Sequence, residues 1–462
     1  MRNPSGILTY LNNFVRFYGH CRIPLFSIFI KSSFFITQNM RLYLYMRQSQ
    51  LFTKTKKENP SDETSKNAQL LIRAGYIYKE MAGVYAWLPL GFRVVNKIKK
   101  IVSEEMEAIG SQEIIMTALQ NKEVWEKTGR WDDEKVDIWF KTALKSGTEV
   151  GLGWSHEEPI IEMMKSYITS YQDLPKYVHQ FQTKLRNEVR AKSGVMRGRE
   201  FVMKDMYSFC ATEEAHMDFY RKSTEAYLNV YKRLSLGDIT YVTSASGGAF
   251  TDNFSHEFQT LCEAGEDVIY VHKKENYAVN EEIFTDATLA KLGAQKEDFE
   301  MKKSAEVGNI FTFGTEKCEQ MGLAFTDSEG KKQPVYLGSY GVGITRLVGV
   351  LTEIFSDDKG IVWPEAVAPF RVHLLQLGDI KEQAEDIYNQ LTNAGIEVLF
   401  DDRVGISAGE KFADSDLLGM PHRVVVSERS LAQGGVEYKS RTENESRVYT
   451  VEELFAFLGV RK

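Results

Sequence analysis

Negative charge is missing from the start of this chain. No Asp or Glu precedes Glu58, while Arg2, Arg16, Arg22, Lys31 and Arg41 are spread among apolar residues. Cysteine is scarce too: the four present (Cys21, Cys210, Cys262 and Cys318) are scattered, with no CxxC pair and no Cys/His ligand spacing. That argues against a zinc site and against a disulfide scaffold, and fits a reducing compartment. The apolar run at 24–36 is broken by Lys31, Ser32 and Ser33, so it is too short and too interrupted to span a bilayer. There is no internal repeat and no low-complexity tract. A net charge of −7 argues against a general nucleic-acid coat protein, although a local basic groove follows the local field and not the total.

The acid-poor leader reads in two ways. One is an organelle transit peptide, which is arginine-rich and poor in acids. The other is a start assigned too early, with the true start at Met46. The second is favoured, because an amphipathic Ser/Ala-rich pattern is missing and globular patterning begins soon after Met46.

The 462 residues suit two or three domains. Apolar spacing predicts helices at 65–81, 92–109, 159–171 and 213–234, and strands at 113–116, 178–190 and 240–272. Residues 273–303 are charged and read as a helical insertion, with a new strand from Gly308. Beyond 364–369 the pattern changes to strands at 372–377, 396–400, 423–426 and 435–440, and helices at 381–393, 409–419 and 451–458. That alternation indicates a small α/β domain.

The chemistry concentrates at 184–209, KLRNEVRAKSGVMRGREFVMKDMYSF. Residues two apart on a strand share a face, so Arg186 pairs with Glu188, and Phe201 lines up with Met203, Asp205, Tyr207 and Phe209. Arginine offers a planar fork to phosphate oxygens, a carboxylate accepts from an exocyclic amino group, and an aromatic ring stacks on a base. Alone, such a charge run reads as a solvated surface hairpin. A second motif, LGSYGVGITR at 337–346, changes that reading. It is no dinucleotide fingerprint, because Arg346 stands where the third glycine belongs. Gly341 and Gly343 instead permit close backbone approach, with Arg346 at the start of a buried helix.

Taken together, LRNE followed by RGREF resembles motif 2 of the class II aminoacyl-tRNA synthetases, and GVGITR resembles their motif 3. Within that class the chain is similar to the bacterial-type prolyl enzymes, through LGWSHEE, FSHEF, GIVWPEAVAPF and DDR…GEKFADSDLLGMPHRVVV, over about residues 46–462. The resemblance implies an α+β catalytic domain on an antiparallel sheet at 46–365, then a small α/β anticodon-binding domain at 366–462, with 1–45 as an extension. It implies ATP and Mg²⁺ as cofactors, and L-proline and tRNA(Pro) as substrates. Arg186 would hold the α-phosphate and the amino-acid carboxylate, Glu188 the adenine amino group and Arg197 the outer phosphates. Phe201 would stack under adenine and Arg346 would close over it. Ser155 and Glu157, with His156 in their loop, would bind the imino group. His256 and Phe209 would line the proline pocket. Glu306 is the candidate metal ligand, and Asp401, Asp402, Arg403, Lys411 and Arg423 are the anticodon candidates. A homodimer built on motif 1 is implied, in the cytoplasm, or in the mitochondrial matrix if 1–45 is a transit peptide.

Three departures from the family pattern stand out. Motif 1 reads EIIMTAL, with Thr117 where proline is usual. Ser155 replaces threonine but keeps the hydroxyl. The span 259–336 is too short for an inserted editing domain. One missing methylene discriminates only about 10–200-fold, so alanine mischarging and a separate deacylase are expected. Two rivals remain: a related enzyme charging threonine, serine or glycine, and a non-catalytic tRNA-binding paralogue. The SHEE loop and FSHEF argue against the first. Retention of Arg186, Glu188 and Arg346 argues against the second.

Overall fold

The computed structural model describes residues 45–189, 191, 193–246 and 255–460. Four long antiparallel strands form its centre: Lys176–Leu185, Glu200–Cys210, Tyr336–Gly343 and Phe299–Gly314. They belong to a nine-stranded sheet that continues through Asp267–His272, Tyr277–Asn280, Thr240–Ala245 and Ser255–Leu261 on one side and ends at the short strand Gln112–Glu113 on the other. Two pairings are parallel, the rest antiparallel. Behind the sheet lie the helices Pro89–Ala108 and Glu213–Arg233. Val94, Ile98, Val102, Phe219, Tyr227 and Tyr231 from these helices share one buried core with Leu347 and Val350 of the helix Ile344–Ile354.

Local chemistry explains the element ends. Pro89 opens its helix at the first turn, where a missing N–H costs nothing; the helix therefore starts three residues earlier than the expected 92. Thr212 caps the next long helix by accepting from the Ala215 amide at 3.2 Å. Two expectations fail more broadly. The helix expected at 65–81 ends at Arg73, because Gly75 takes a left-handed turn and Ile77–Met81 hairpins with Val84–Trp87 around Gly83. The segment 273–303 is α-helical only at Asp286–Leu292. It also supplies the strand Tyr277–Asn280 and the first part of Phe299–Gly314, where Glu300, Met301 and Lys303 are exposed. The helix expected at 159–171 is Glu157–Met164, and the strand expected at 113–116 keeps only Gln112–Glu113.

The C-terminal sheet orders Val398–Asp401, Val372–Leu377, His422–Ser427, Val436–Ser440 and Arg447–Tyr449, with the helix Lys381–Asn393 over its apolar face. A sixth strand joins its free edge. Tyr45–Arg47 runs parallel to Val398–Asp401, with Met46 opposite Leu399. The first described residues, Tyr45–Arg47, therefore complete the C-terminal sheet. Arg47 fixes the strand by a two-bond contact to Glu385, both at 2.7 Å. The two domains are also joined by Tyr76 donating to the Leu418 carbonyl (2.7 Å), Arg93 on Glu397 (2.7 Å) and Arg441 on Asp357 (2.7 and 2.8 Å).

Candidate active site

The antiparallel register brings the two charged motifs together. Leu185 faces Glu200 at the end of the hairpin, so Arg186 emerges just past the sheet, and its guanidinium lies 5.2 Å from the Phe201 ring. Gly343 ends the neighbouring strand and passes directly into the helix that carries Arg346. Arg346 donates to the carbonyl oxygens of Met196 (2.9 Å) and Glu306 (2.5 Å) and meets the Glu306 carboxylate at 3.3 Å. Arg186 and Arg346 line the same cavity, of about 250 Å³, with Ser155, Glu157, Asp205, Glu257, Glu306, Asn309, Phe311 and Ser339. Burial and the charge of Arg346 both weaken the proton affinity of Arg186, against the pull of Glu188, Glu306 and Asp205.

One wall is the loop that ends the strand Glu149–Leu152. Ser155 donates to Glu157, whose other oxygen accepts from Ser339 at 3.2 Å. Burial favours the neutral form of Glu157, but Arg130, Lys317 and the Ser155 hydroxyl outweigh it and hold the carboxyl ionised. Beneath the loop, Lys184 donates to Asp205 and to His156 Nδ1. A lysine only donates, so the His156 proton sits on Nε2, which points to the Thr117 carbonyl at 3.1 Å. Burial, then the nearby Lys184, lowers the His156 pKa to about 4, and the ring is neutral.

The opposite wall is acidic. Burial and the neighbouring Glu306 push the Glu257 carboxyl well above its usual range, and the same two causes help raise Asp267. Glu306 accepts from Asn309 at 2.8 Å. Carboxylates with an amide oxygen form an oxygen-only donor set, which suits a hard divalent cation. The proton held by Glu257 marks where a cation would relieve the repulsion.

The expected site residues fall into three groups. Ser155, Glu157, Arg186, Arg346 and Glu306 converge on the cavity, and Phe201 lies against Arg186. Glu188 and Arg197 sit at the rim and pair with each other at 3.0 Å, with Arg197 also on Glu266 at 3.0 Å. His256 and Phe209 do not reach the cavity. His256 turns to the opposite face and meets the Tyr220 hydroxyl at 2.8 Å, whereas its neighbour Glu257 lines the cavity. Phe209 is fully buried with Ile160, Ile161 and Phe313, and the aromatic ring at the cavity is Phe311.

The anticodon candidates are engaged internally. Arg403 grips Asp401 at 2.8 and 2.7 Å and Asp414 at 2.8 Å, and buried Lys411 donates to the carbonyls of Gln376 and Asp401. Arg423 pairs with Asp416 at 3.0 Å, and Asp402 accepts from Ser49. These bonds tie the C-terminal sheet to its own helix and to the N-terminal strap; Lys411 in particular has no edge left for a base.

Residues missing from the sequence reading are Arg130, Glu158, Lys317, Asn309 and Ser339. Glu158 and Ser339 lie inside LGWSHEE and LGSYGVGITR but carry no distinguishing pattern there, whereas Arg130, Lys317 and Asn309 are single polar residues outside the motifs, so spacing carries no signal for them.

Comparison with known proteins follows the same division. The profile described as "tRNA synthetase class II core domain (G, H, P, S and T)" matches residues 140–355, and "Anticodon binding domain" matches 366–461. A proline-tRNA ligase of Agrobacterium fabrum is 38% identical over 438 residues, 88% of this chain and 98% of the relative. One of Caulobacter vibrioides is 38% identical over 439 residues, with 88% and 98% covered. Among solved structures, prolyl-tRNA synthetase from Cryptosporidium parvum with halofuginone and AMPPNP superposes with TM-score 0.70 at 18% identity, covering 85% of this chain and 76% of that one. The Giardia lamblia synthetase with prolyl-adenylate gives 0.68 at 18% identity, over 83% and 74%.

Proposed function

The chain belongs to the class II prolyl-tRNA synthetases, and on that footing we propose that the cavity between Glu157, Arg186 and Arg346 is the seat of its chemistry. The enzyme activates proline with ATP to prolyl-adenylate and transfers the prolyl group to the 3′ end of tRNA(Pro). The observation that carries the site assignment is the placing of an ionised carboxylate, Glu157, and two guanidinium groups, Arg186 and Arg346, around one cavity.

Glu157 and Ser155 receive the ring ammonium. Arg186 holds the proline carboxylate against the α-phosphate, so that the carboxylate oxygen attacks in line and pyrophosphate leaves. Arg346 and Phe201 clamp adenine between them, Glu188 accepts from its amino group, and Arg197 takes the outer phosphates once released from Glu188. Mg²⁺ neutralises phosphate charge when bound, and Glu306, Glu257 and Asn309 are the residues that would hold it. Catalysis is positioning plus charge stabilisation, without a side-chain nucleophile.

The assembly is a homodimer across the sheet edge at Gln112–Glu113, where Ile115 is 81% exposed. Alanine enters a proline-sized pocket with only about 10–200-fold discrimination, so a separate deacylase clears alanyl-tRNA(Pro). Among the described residues no helix is long and apolar enough to cross a membrane. The enzyme works in the cytoplasm, or in the mitochondrial matrix if residues 1–45 act as a transit peptide.

ATP–pyrophosphate exchange with proline, alanine, threonine and serine tests this reading. Strong exchange with proline and weak exchange with alanine is expected. Exchange led by threonine or serine, or none with Arg186 and Arg346 intact, overturns it.

A further inference from the structure

Behind the loop at 154–157 lies a group of charges that does not itself line the cavity. Glu158 is fully buried, and Arg130 and Lys317 nearly so. One Arg130 nitrogen lies 3.0 and 3.1 Å from the two oxygens of Glu158 and 3.7 Å from Glu157. Lys317 donates to Glu158 at 3.3 Å, and so does the Thr128 hydroxyl at 2.9 Å. Aromatic faces enclose the cations: Arg130 stands 4.6 Å from the Trp154 ring and 5.4 Å from Trp125, and Lys317 4.7 Å from Phe313. Two adjacent buried carboxylates repel, and one of them takes up a proton unless cations stand beside them. Three segments meet here, the turn after Lys122–Glu126, the start of Glu157–Met164 and the helix Glu316–Met321; a separate pair, Lys127 on Glu162 at 2.8 Å, joins the first two.

We propose that Arg130 and Lys317, with Glu158 between them, are positioning residues that keep Glu157 anionic and aimed at the cavity, and so set the enzyme's affinity for a cationic ring nitrogen. The proposal rests on Glu157 being the ammonium partner. Glu158 faces away from the cavity and acts as the bridge that holds both cations within reach of Glu157. With two cations and two carboxylates the bed is neutral, and the incoming zwitterion adds its ammonium at Glu157 and its carboxylate at Arg186 without leaving a charge uncompensated. Arginine suits this place because its flat guanidinium stacks on indole while one of its nitrogens stands beside both carboxylates.

The test is proline-dependent pyrophosphate exchange in the full chain, with tetrahydrofuran-2-carboxylate as a competitive probe. This probe keeps the ring and the carboxylate and replaces the ammonium by a neutral ring oxygen. Arg130→Met is expected to raise the proline KM at least tenfold, with kcat at saturating proline changed less than threefold and the probe's Ki within twofold. Arg130→Lys is expected to recover part of the loss. So is the double variant Arg130→Met/Glu158→Gln, because it removes one charge of each sign; a mere packing role would make the two losses add. Equal weakening of proline and probe, or an additive double variant, overturns the inference. Glu157→Gln serves as the reference. If it leaves the proline KM unchanged, the assignment of Glu157 fails; if it raises KM while Arg130→Met does not, only the present inference fails.

Discussion

The imidazole of His156 points its Nε2 at the carbonyl oxygen of Thr117, 3.1 Å away, while Lys184 occupies its other nitrogen. The contact joins the loop that carries Ser155 and Glu157 to the segment beside the exposed sheet edge, and it uses only the backbone of residue 117. Gln180 and Gln182 bind the Met116 amide and carbonyl at 3.0 and 2.6 Å in the same way.

Substitution at 117 is therefore expected to be mild. The Thr117 amide makes no hydrogen bond among those found in the described residues, so a proline there removes no donor in use. Thr117→Pro should leave proline exchange within about twofold and the melting temperature unchanged or a few degrees higher, through a stiffer unfolded chain. A tenfold loss of exchange would show that the side chain matters.

Stability should fall steeply in mild acid. Burial is the first cause of the low pKa of His156, His179 and His216, each about 4, and of His373, about 3. A histidine depressed in the fold binds its proton in the unfolded chain first, so stability is complete above about pH 6.5 and is lost as pH falls towards 4. Glu257 works the other way, since the folded state keeps its proton. Four depressed rings outweigh that one carboxyl, so unfolding takes up protons near pH 5 and the slope of stability on pH is positive there. Urea midpoints between pH 7.5 and 5 check this. A flat profile would mean that these rings titrate in the native state.

Phe209 and Phe311 should separate stability from substrate binding. Phe209→Ala is expected to cost about 3–5 kcal/mol, as for other emptied core positions, with the proline KM unchanged in the folded fraction. Phe311→Ala removes part of the cavity wall and should raise that KM. Denaturation curves alongside exchange kinetics distinguish the two, and a KM change from Phe209→Ala as large as from Phe311→Ala would contradict the packing described.

In the C-terminal domain, Asp401→Ala leaves Arg403 and Lys411 without their shared carboxylate. The expected loss is about 3 kcal/mol, seen as a lower urea midpoint, while pyrophosphate exchange at 20 °C persists in the folded protein. A loss of less than ~1 kcal/mol would show that water screens the network.

The C-terminal domain was readable because its strands and helices alternate with clean apolar periods; the helix at Lys381–Asn393 and the strand at Val372–Leu377 lie where their spacing puts them. The motifs were readable because glycine and arginine cluster at fixed spacing. That Glu257 and not His256 lines the cavity was not legible, because adjacent strand residues face opposite sides and nothing local says which side is the core. Phe209 has the same parity as Asp205 but lies further along its strand, where the helix Glu157–Met164 covers it. The charged stretch before Gly308 is helix only at Asp286–Leu292 and strand at either end, a division the sequence hides because exposed strand faces and exposed helix faces are equally rich in lysine and glutamate.

The parallel pairing of Met46 with Leu399 makes the catalytic unit a closed hoop: its polypeptide enters and leaves through one sheet. A body hung from a single linker can swing, whereas one clasped at both ends can only slide along the clasp. Parting the two bodies would have to undo this strand pairing and the Arg47–Glu385 contact as well as strain the single crossing near residue 366, so the distance from the aminoacylation cavity to the C-terminal sheet is held at two points of the chain.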